Sequence, residues 1–236
     1  MSAGNGAVMR APIIGAWFED PDRIAPFVAA STAITHRDPR AHSGALAIAI
    51  ATHHAVWDPE ILSSVVLDDI RHRVADVELM TALDRVEHAL ARQIEPVELA
   101  SELGLERGVT GYVHHTVPMC LHAWLRAPRD FRQAVGDVVM LGGDSDTTGA
   151  IVGALAGAST GESGIPPEWL AISDFPRSIG WIRQLAARLA ERSHPLPLWW
   201  PAVPIRNALF TAIVLVTGLR RLLPPYGYAR TGMPAR

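Results

Sequence analysis

The sequence predicts an all-α fold, with one helical domain over residues 1–175 and a helical extension over 176–236. Three observations carry that reading. Apolar residues recur at helical spacing, and strand-like alternation is hard to find. Composition is 49% hydrophobic, 19% charged and 6% aromatic, and it is rich in alanine, which suits a compact helical protein. Turn and break signals, such as Asp20-Pro21-Asp22, Gly104 and Gly164-Ile165-Pro166-Pro167, mark off the periodic stretches from one another. At 236 residues the chain is long enough to bury a sizeable core.

Each expected element follows from its own signals. Asp20-Pro21-Asp22 starts a helix over 23–35. Residues 41–56 form a second helix, with alanine, leucine and isoleucine crowding one side. Helices over 59–73 and 77–94 follow, the latter with Glu78, Asp84, Arg85, Glu87 and Arg92 on its wet face. Residues 96–103 make a short helix ended by Gly104, and 116–125 and 128–141 lead the chain to Gly142-Gly143. A helix with Gly149, Gly153, Gly157 and Gly161 spaced four apart comes next. An interior glycine costs a helix about 1 kcal/mol relative to alanine, so this stripe implies close backbone approach by another helix. Gly164-Ile165-Pro166-Pro167 breaks the chain. An arginine-rich amphipathic helix spans 176–192, a proline-rich crossing with Trp199-Trp200 spans 193–204, and a last helix spans 205–223. The two tryptophans are expected to pack the C-terminal helices together.

Asp144-Ser145-Asp146-Thr147 is the most informative stretch. Asp, Ser and Thr are preferred N-cap residues, so capping is one reading. Capping needs one such residue, however, and four stand in a row behind two glycines. Two carboxylates and a hydroxyl within one turn also suit a hard divalent cation. Both readings stay open on the residues alone.

Other features narrow the function. Net charge is −3, so no global basic field points to nucleic acid. The single cysteine, Cys120, lies in an apolar stretch as a buried, inert thiol and fits a reducing, cytoplasmic compartment. The opening residues lack a charged n-region and an apolar h-region. The most apolar segment, 208–218, is too short to span a bilayer unaided, so interior packing and no transmembrane segment are expected. His53-His54 are expected to face solvent or a neighbouring loop, and His114-His115 lack the i,i+4 partner of a helical zinc pair. Asp68-Asp69, mid-helix beside Arg71 and Arg73, reads as a solvated face.

Several of these residues together resemble the ADP-ribosylglycohydrolase family. Gly142-Gly143-Asp144-Ser145-Asp146-Thr147, followed by Gly153-Ala154-Leu155-Ala156-Gly157-Ala158, resembles its C-terminal metal motif. Ser2-Ala3-Gly4-Asn5-Gly6 with the trailing Met9-Arg10 resembles its Gly-Asn-Gly loop. Thr35-His36 resembles its Thr-His element, and Gly111-Tyr112-Val113 its adenosine-side aromatic. The likeness covers roughly residues 1–165 and implies a compact orthogonal helical fold holding two Mg²⁺ (or Mn²⁺) ions. It implies cleavage of the glycosidic bond between ADP-ribose and a protein side chain or small-molecule acceptor. Carried over, Asp144, Asp146 and Thr147 are metal ligands. Ser2, Gly4, Asn5, Gly6 and Met9 cradle the pyrophosphate and distal ribose, His36 bonds phosphate or ribose, and Tyr112 lies against adenine or ribose.

One departure from the family pattern counts. Family members carry a glutamate and a Thr-Asp-Asp motif in a segment before the Gly-Asn-Gly loop, and no Thr-Asp-Asp occurs in this sequence. The reading is of an N-terminally truncated chain with a weak or partial metal site, unable to turn over substrate alone unless a separate N-terminal half completes it. Two alternatives are a non-catalytic binder of ADP-ribose or a related nucleotide, and a structural helical remnant whose acidic turn is only a cap.

Overall fold

The computed structural model describes residues 3–171, 178–191, 193, 194, 196 and 200–222. Twelve α-helices and no strand occur among the described residues. The chain divides into two compact units, Met1–Pro166 and Pro167–Arg236.

In the first unit, the central element is α3 (Pro39–Trp57), capped by Asp38, whose side chain accepts from the Arg40 N–H. Nearly every residue from Ala41 to Ala55 is buried, so small side chains occupy all faces rather than one. Helix α1 (Ala11–Trp17) lies against it at Gly15, where an added Cβ would stand 1.9 Å from the Ala49 carbonyl oxygen. Helix α2 (Ile24–Ala33) also packs on α3, as does α4 (Ser63–Arg73). Helix α5 (Val77–Ala91), capped by Asp76, packs on α7 (Val113–Arg126), and the short α6 (Pro96–Glu102) fills the corner between them. Leu83, Val86, Leu99, Met119, Leu121 and Trp124 are fully buried there. Helix α8 (Phe131–Val139) lies along α9 (Ser145–Thr160), which also touches α3 and α7.

The structure revises several expectations. Helix α1 lies in a stretch for which no helix was expected, and α7 begins three residues before the expected start at 116. The glycine stripe of α9 faces side chains of α8, not a close backbone: a Cβ on Gly153 would lie 3.7 Å from Phe131 and one on Gly149 2.9 Å from Val139. Gly161 is the C-cap, with φ +67°, rather than part of the stripe. His53 and His54 are buried, since α3 is enclosed on all sides. His53 Nδ1 pairs with the Phe18 carbonyl oxygen, and His54 lies between Asp58 and Asp69 at 2.6 and 3.1 Å. Asp69 is therefore half-buried between His54 and Arg73, and of the pair only Asp68 is exposed, bonded to Arg71 at 3.0 Å.

The second unit contains α10 (Pro167–Leu170), α11 (Ile179–Ala190) and α12 (Ala202–Arg221). Helix α12 reverses two expectations. It begins earlier than the apolar segment read from sequence, runs for 20 residues, and is long and apolar enough to cross a membrane. Ala202 at its start is buried, but from Asn207 onward its side chains are exposed rather than packed inside. Trp200 is exposed as well, while Trp199 lies outside the described residues.

Candidate functional site

Three segments far apart in sequence meet side by side. In the opening loop, the Asn5 N–H donates to the Gly111 carbonyl and the Ala3 carbonyl accepts from the Val113 N–H, forming an antiparallel bridge between Gly4 and Tyr112. On the other side, the Val109 N–H donates to the Gly142 carbonyl and the Asp144 N–H to the Val109 carbonyl. Gly142 and Gly143 have φ of +74° and +78°, and a Cβ on Gly143 would stand 2.2 Å from the Val109 oxygen. Only glycine meets both demands, left-handed backbone and close approach.

Side chains then lock the segments together. The buried Asn5 donates through Nδ2 to Asp144 Oδ2 at 2.8 Å and to Thr116 Oγ1 at 3.0 Å. Thr116 in turn donates to the Thr110 carbonyl. Asp144 occupies the N-cap position of α9, yet its side chain makes no cap hydrogen bond. Its carboxylate faces Asn5 across the site, so capping does not explain it. The Asn5 hydrogen bond, with smaller contributions from Thr147 and Asp146, holds this carboxyl below the usual aspartate range. Asp146 is exposed and Thr147 half-buried in the first turn of α9. The positive end of the helix dipole favours carboxylates there.

His36 sits at the end of α2, its Nδ1 paired with Thr35 Oγ1 at 2.8 Å. Its ring lies against the loop at Gly6, where a Cβ would come 3.1 Å from His36 Cε1. Arg10 binds the Gly6 carbonyl, the Ser31 carbonyl and Thr35 Oγ1, fixing the loop to that end of α2. Sequence reading named Arg10 only as the residue trailing Met9, and nothing in local spacing signals its role. Met9 itself opens on an apolar groove of 840 Å³ lined by Ile13, Phe27 and Ala154 among others. Ser2 lies outside the described residues.

Tyr112 is held from several sides. Arg40, forked onto Asp38 at 2.8 and 3.0 Å, donates to Tyr112 Oη and lies 5.7 Å from its ring. The Arg40 guanidinium holds the Asp38 carboxyl down at about 2. Tyr112 Oη donates to Glu78, and His114 sits between Glu78 and Asp76 at 3.1 and 3.0 Å. Burial and Glu78 push the Tyr112 phenol up, while Arg40 opposes the shift. His114 is thus part of an acid-lined cluster that sequence reading missed, because its partners stand 38 and 36 residues earlier.

Asp144, Asp146 and Thr147 offer a donor set of the kind a divalent cation takes. Two carboxylates and a hydroxyl are hard oxygen ligands and balance the charge of one Mg²⁺, with water left to complete an octahedral shell. The set fits one such ion in kind. Among the described residues, no group of three His, Cys, Asp or Glu gathers to hold a metal.

A family model described as ADP-ribosylglycohydrolase matches residues 1–197. The chain is 29% identical over 189 residues to the ADP-ribosyl-[dinitrogen reductase] glycohydrolase of Rhodospirillum rubrum, covering 80% of this chain and 56% of that protein. It is 25% identical over 214 residues to the ADP-ribosylhydrolase ARH3 of Xenopus tropicalis, covering 78% and 60%, and 26% identical to human ARH3, covering 71% and 53%. The chain therefore spans little more than half the length of these relatives. A solved structure titled "ADP-ribosylglycohydrolase-related protein complex" shares the fold, with TM-score 0.62, 24% identity and coverage of 82% of this chain and 62% of that one. With the family model matching most of its length, this chain belongs to the ADP-ribosylglycohydrolase family.

Proposed function

We propose that this chain forms part of a metal-dependent hydrolase that cleaves the glycosidic bond between ADP-ribose and a protein side chain or small acceptor. We propose too that residues 1–236 bind the ligand without turning it over unaided. The observation that carries this reading is Asn5, which joins the opening loop to Asp144 and Thr116. A loop suited to a diphosphate thereby stands beside an oxygen-rich turn suited to a cation. Relatives named as ADP-ribosyl hydrolases support the substrate class.

In this reading Gly4, Asn5 and Gly6 bind the pyrophosphate, with His36 against the loop to hold phosphate or ribose. Tyr112, pinned by Arg40 and Glu78, presents its ring to the adenosine end. Asp144, Asp146 and Thr147 hold one Mg²⁺ or Mn²⁺, which supplies Lewis-acid polarisation of the ribose oxygens when bound. Carboxylates for a second ion would come from outside this set, which limits turnover.

Calorimetry with ADP-ribose, with and without Mg²⁺, tests the reading together with an assay on an ADP-ribosylated substrate. Expected are binding that Mg²⁺ strengthens in the wild type but not in Asp146→Ala, and no hydrolysis. Robust hydrolysis by residues 1–236 alone would refute the limit on turnover. Absence of ADP-ribose binding under both conditions would refute the function.

A further inference from the structure

The family match ends at residue 197, and α12 begins at Ala202. The chemistry of the family therefore does not account for this helix. Leu209, Phe210, Ile213, Val214, Leu215 and Val216 are 51–65% exposed. At about 100° per residue these positions point around the whole circumference. A surface helix in water is apolar along one stripe, and one apolar on all sides belongs inside protein or lipid. Among the described residues little of this one is covered, with 6% of its apolar window buried.

Length and charge identify the cover. Twenty residues at about 1.5 Å each give about 30 Å, the thickness of a bilayer's hydrocarbon core. Thirteen uncharged residues, Asn207 to Leu219, lie between Arg206 and Arg220. Arginine stems lie along apolar surface while their guanidinium groups reach outward, so both ends extend to the headgroups. Arg206 suits this geometry, because helical side chains lean toward the N-terminal end, here the nearer interface. Six arginines and no aspartate or glutamate follow Glu191, although the whole chain carries −3. Such a segment is attracted to anionic lipid. Trp199-Trp200 precede the helix in sequence and Tyr226 and Tyr228 follow it, the residue types that settle at membrane interfaces.

We propose that α12 is a bilayer-spanning anchor that tethers the ADP-ribosylglycohydrolase domain to a membrane containing anionic lipid. The proposal does not depend on the hydrolase reading. Flotation of the full chain with vesicles of about 3:1 phosphatidylcholine to phosphatidylglycerol tests it. The wild type is expected to float, to stay bound in about 1 M salt, where surface attraction is screened, and to resist alkaline carbonate. Val214→Asp, at an exposed position, is expected to keep the circular dichroism and melting profile of the first unit while partitioning about 100-fold more weakly. Three results would each overturn the proposal: release by carbonate, flotation of Val214→Asp equal to wild type, or a wild-type chain that stays in water as a discrete oligomer joined through α12.

Discussion

Asn5 makes two hydrogen bonds from a buried position, one of them to a carboxylate. Removing a buried hydrogen-bond partner costs about 1–3 kcal/mol, so Asn5→Ala should lose stability in that range, measured by urea unfolding. Asn5→Asp should cost at least as much at neutral pH, since it sets a second carboxylate against Asp144, and should recover as pH falls. His122 gives a separate prediction. It is fully buried in α7, and neither ring nitrogen has a hydrogen-bond partner. Burial, with Arg126 adding to it, pushes its imidazole down to about 4; a weak backbone interaction with Ile94 opposes the shift without meeting hydrogen-bond geometry. The unfolded chain then binds a proton near pH 6.5 that the folded chain refuses until about 4. The His122 contribution is present above pH 6.5 and is lost as pH falls toward 4. His122→Leu should flatten that acid-side decline in melting temperature, and an unchanged pH profile would refute the assignment. At this scale the acidic turn and the Gly-Asn-Gly loop could be picked out as candidates, because their residue types stand together in the sequence. Arg10, Arg40 and His114 could not, because each acts on partners brought near only by folding.

The glycines separate packing from propensity at the scale of elements. Gly15 of α1 approaches α3 so closely that a Cβ would overlap the Ala49 backbone. Gly15→Ala should therefore force the helices apart and cost about 1–3 kcal/mol or more. Gly153 of α9 has room, with Phe131 at 3.7 Å, so Gly153→Ala should gain up to about 1 kcal/mol of helix propensity. Thermal melts of the two variants should move in opposite directions. Sequence reading singled out the α9 stripe and passed over Gly15, because a four-residue stripe is visible locally while the crowding at Gly15 depends on a residue 34 positions away. Of the two surroundings expected for the α3 histidines, His53 meets a neighbouring loop at Phe18 while solvent is excluded, for a related reason. Periodicity assigns faces only where a helix has a wet side, and α3 is enclosed almost throughout. The helices themselves were legible to within a few residues, apart from α1 and α10.

For the molecule as a whole, the proposed cation site can be checked through stability, because a ligand that binds only the folded state stabilises it. A ligand at ten times its dissociation constant stabilises the folded state by about 1.4 kcal/mol. Saturating Mg²⁺ should raise the melting temperature of the wild type and leave the double variant Asp144→Asn, Asp146→Asn unchanged. An equal rise in both would place the cation elsewhere. The pairing of Asn5 with Asp144 joins residues 139 positions apart. A ribosome adding about 5–20 residues per second takes roughly 7–28 s to cover that distance. Through that interval the nascent opening loop waits without its counterpart, and the corner shared by Asn5 and Asp144 is among the last parts of the unit to mature.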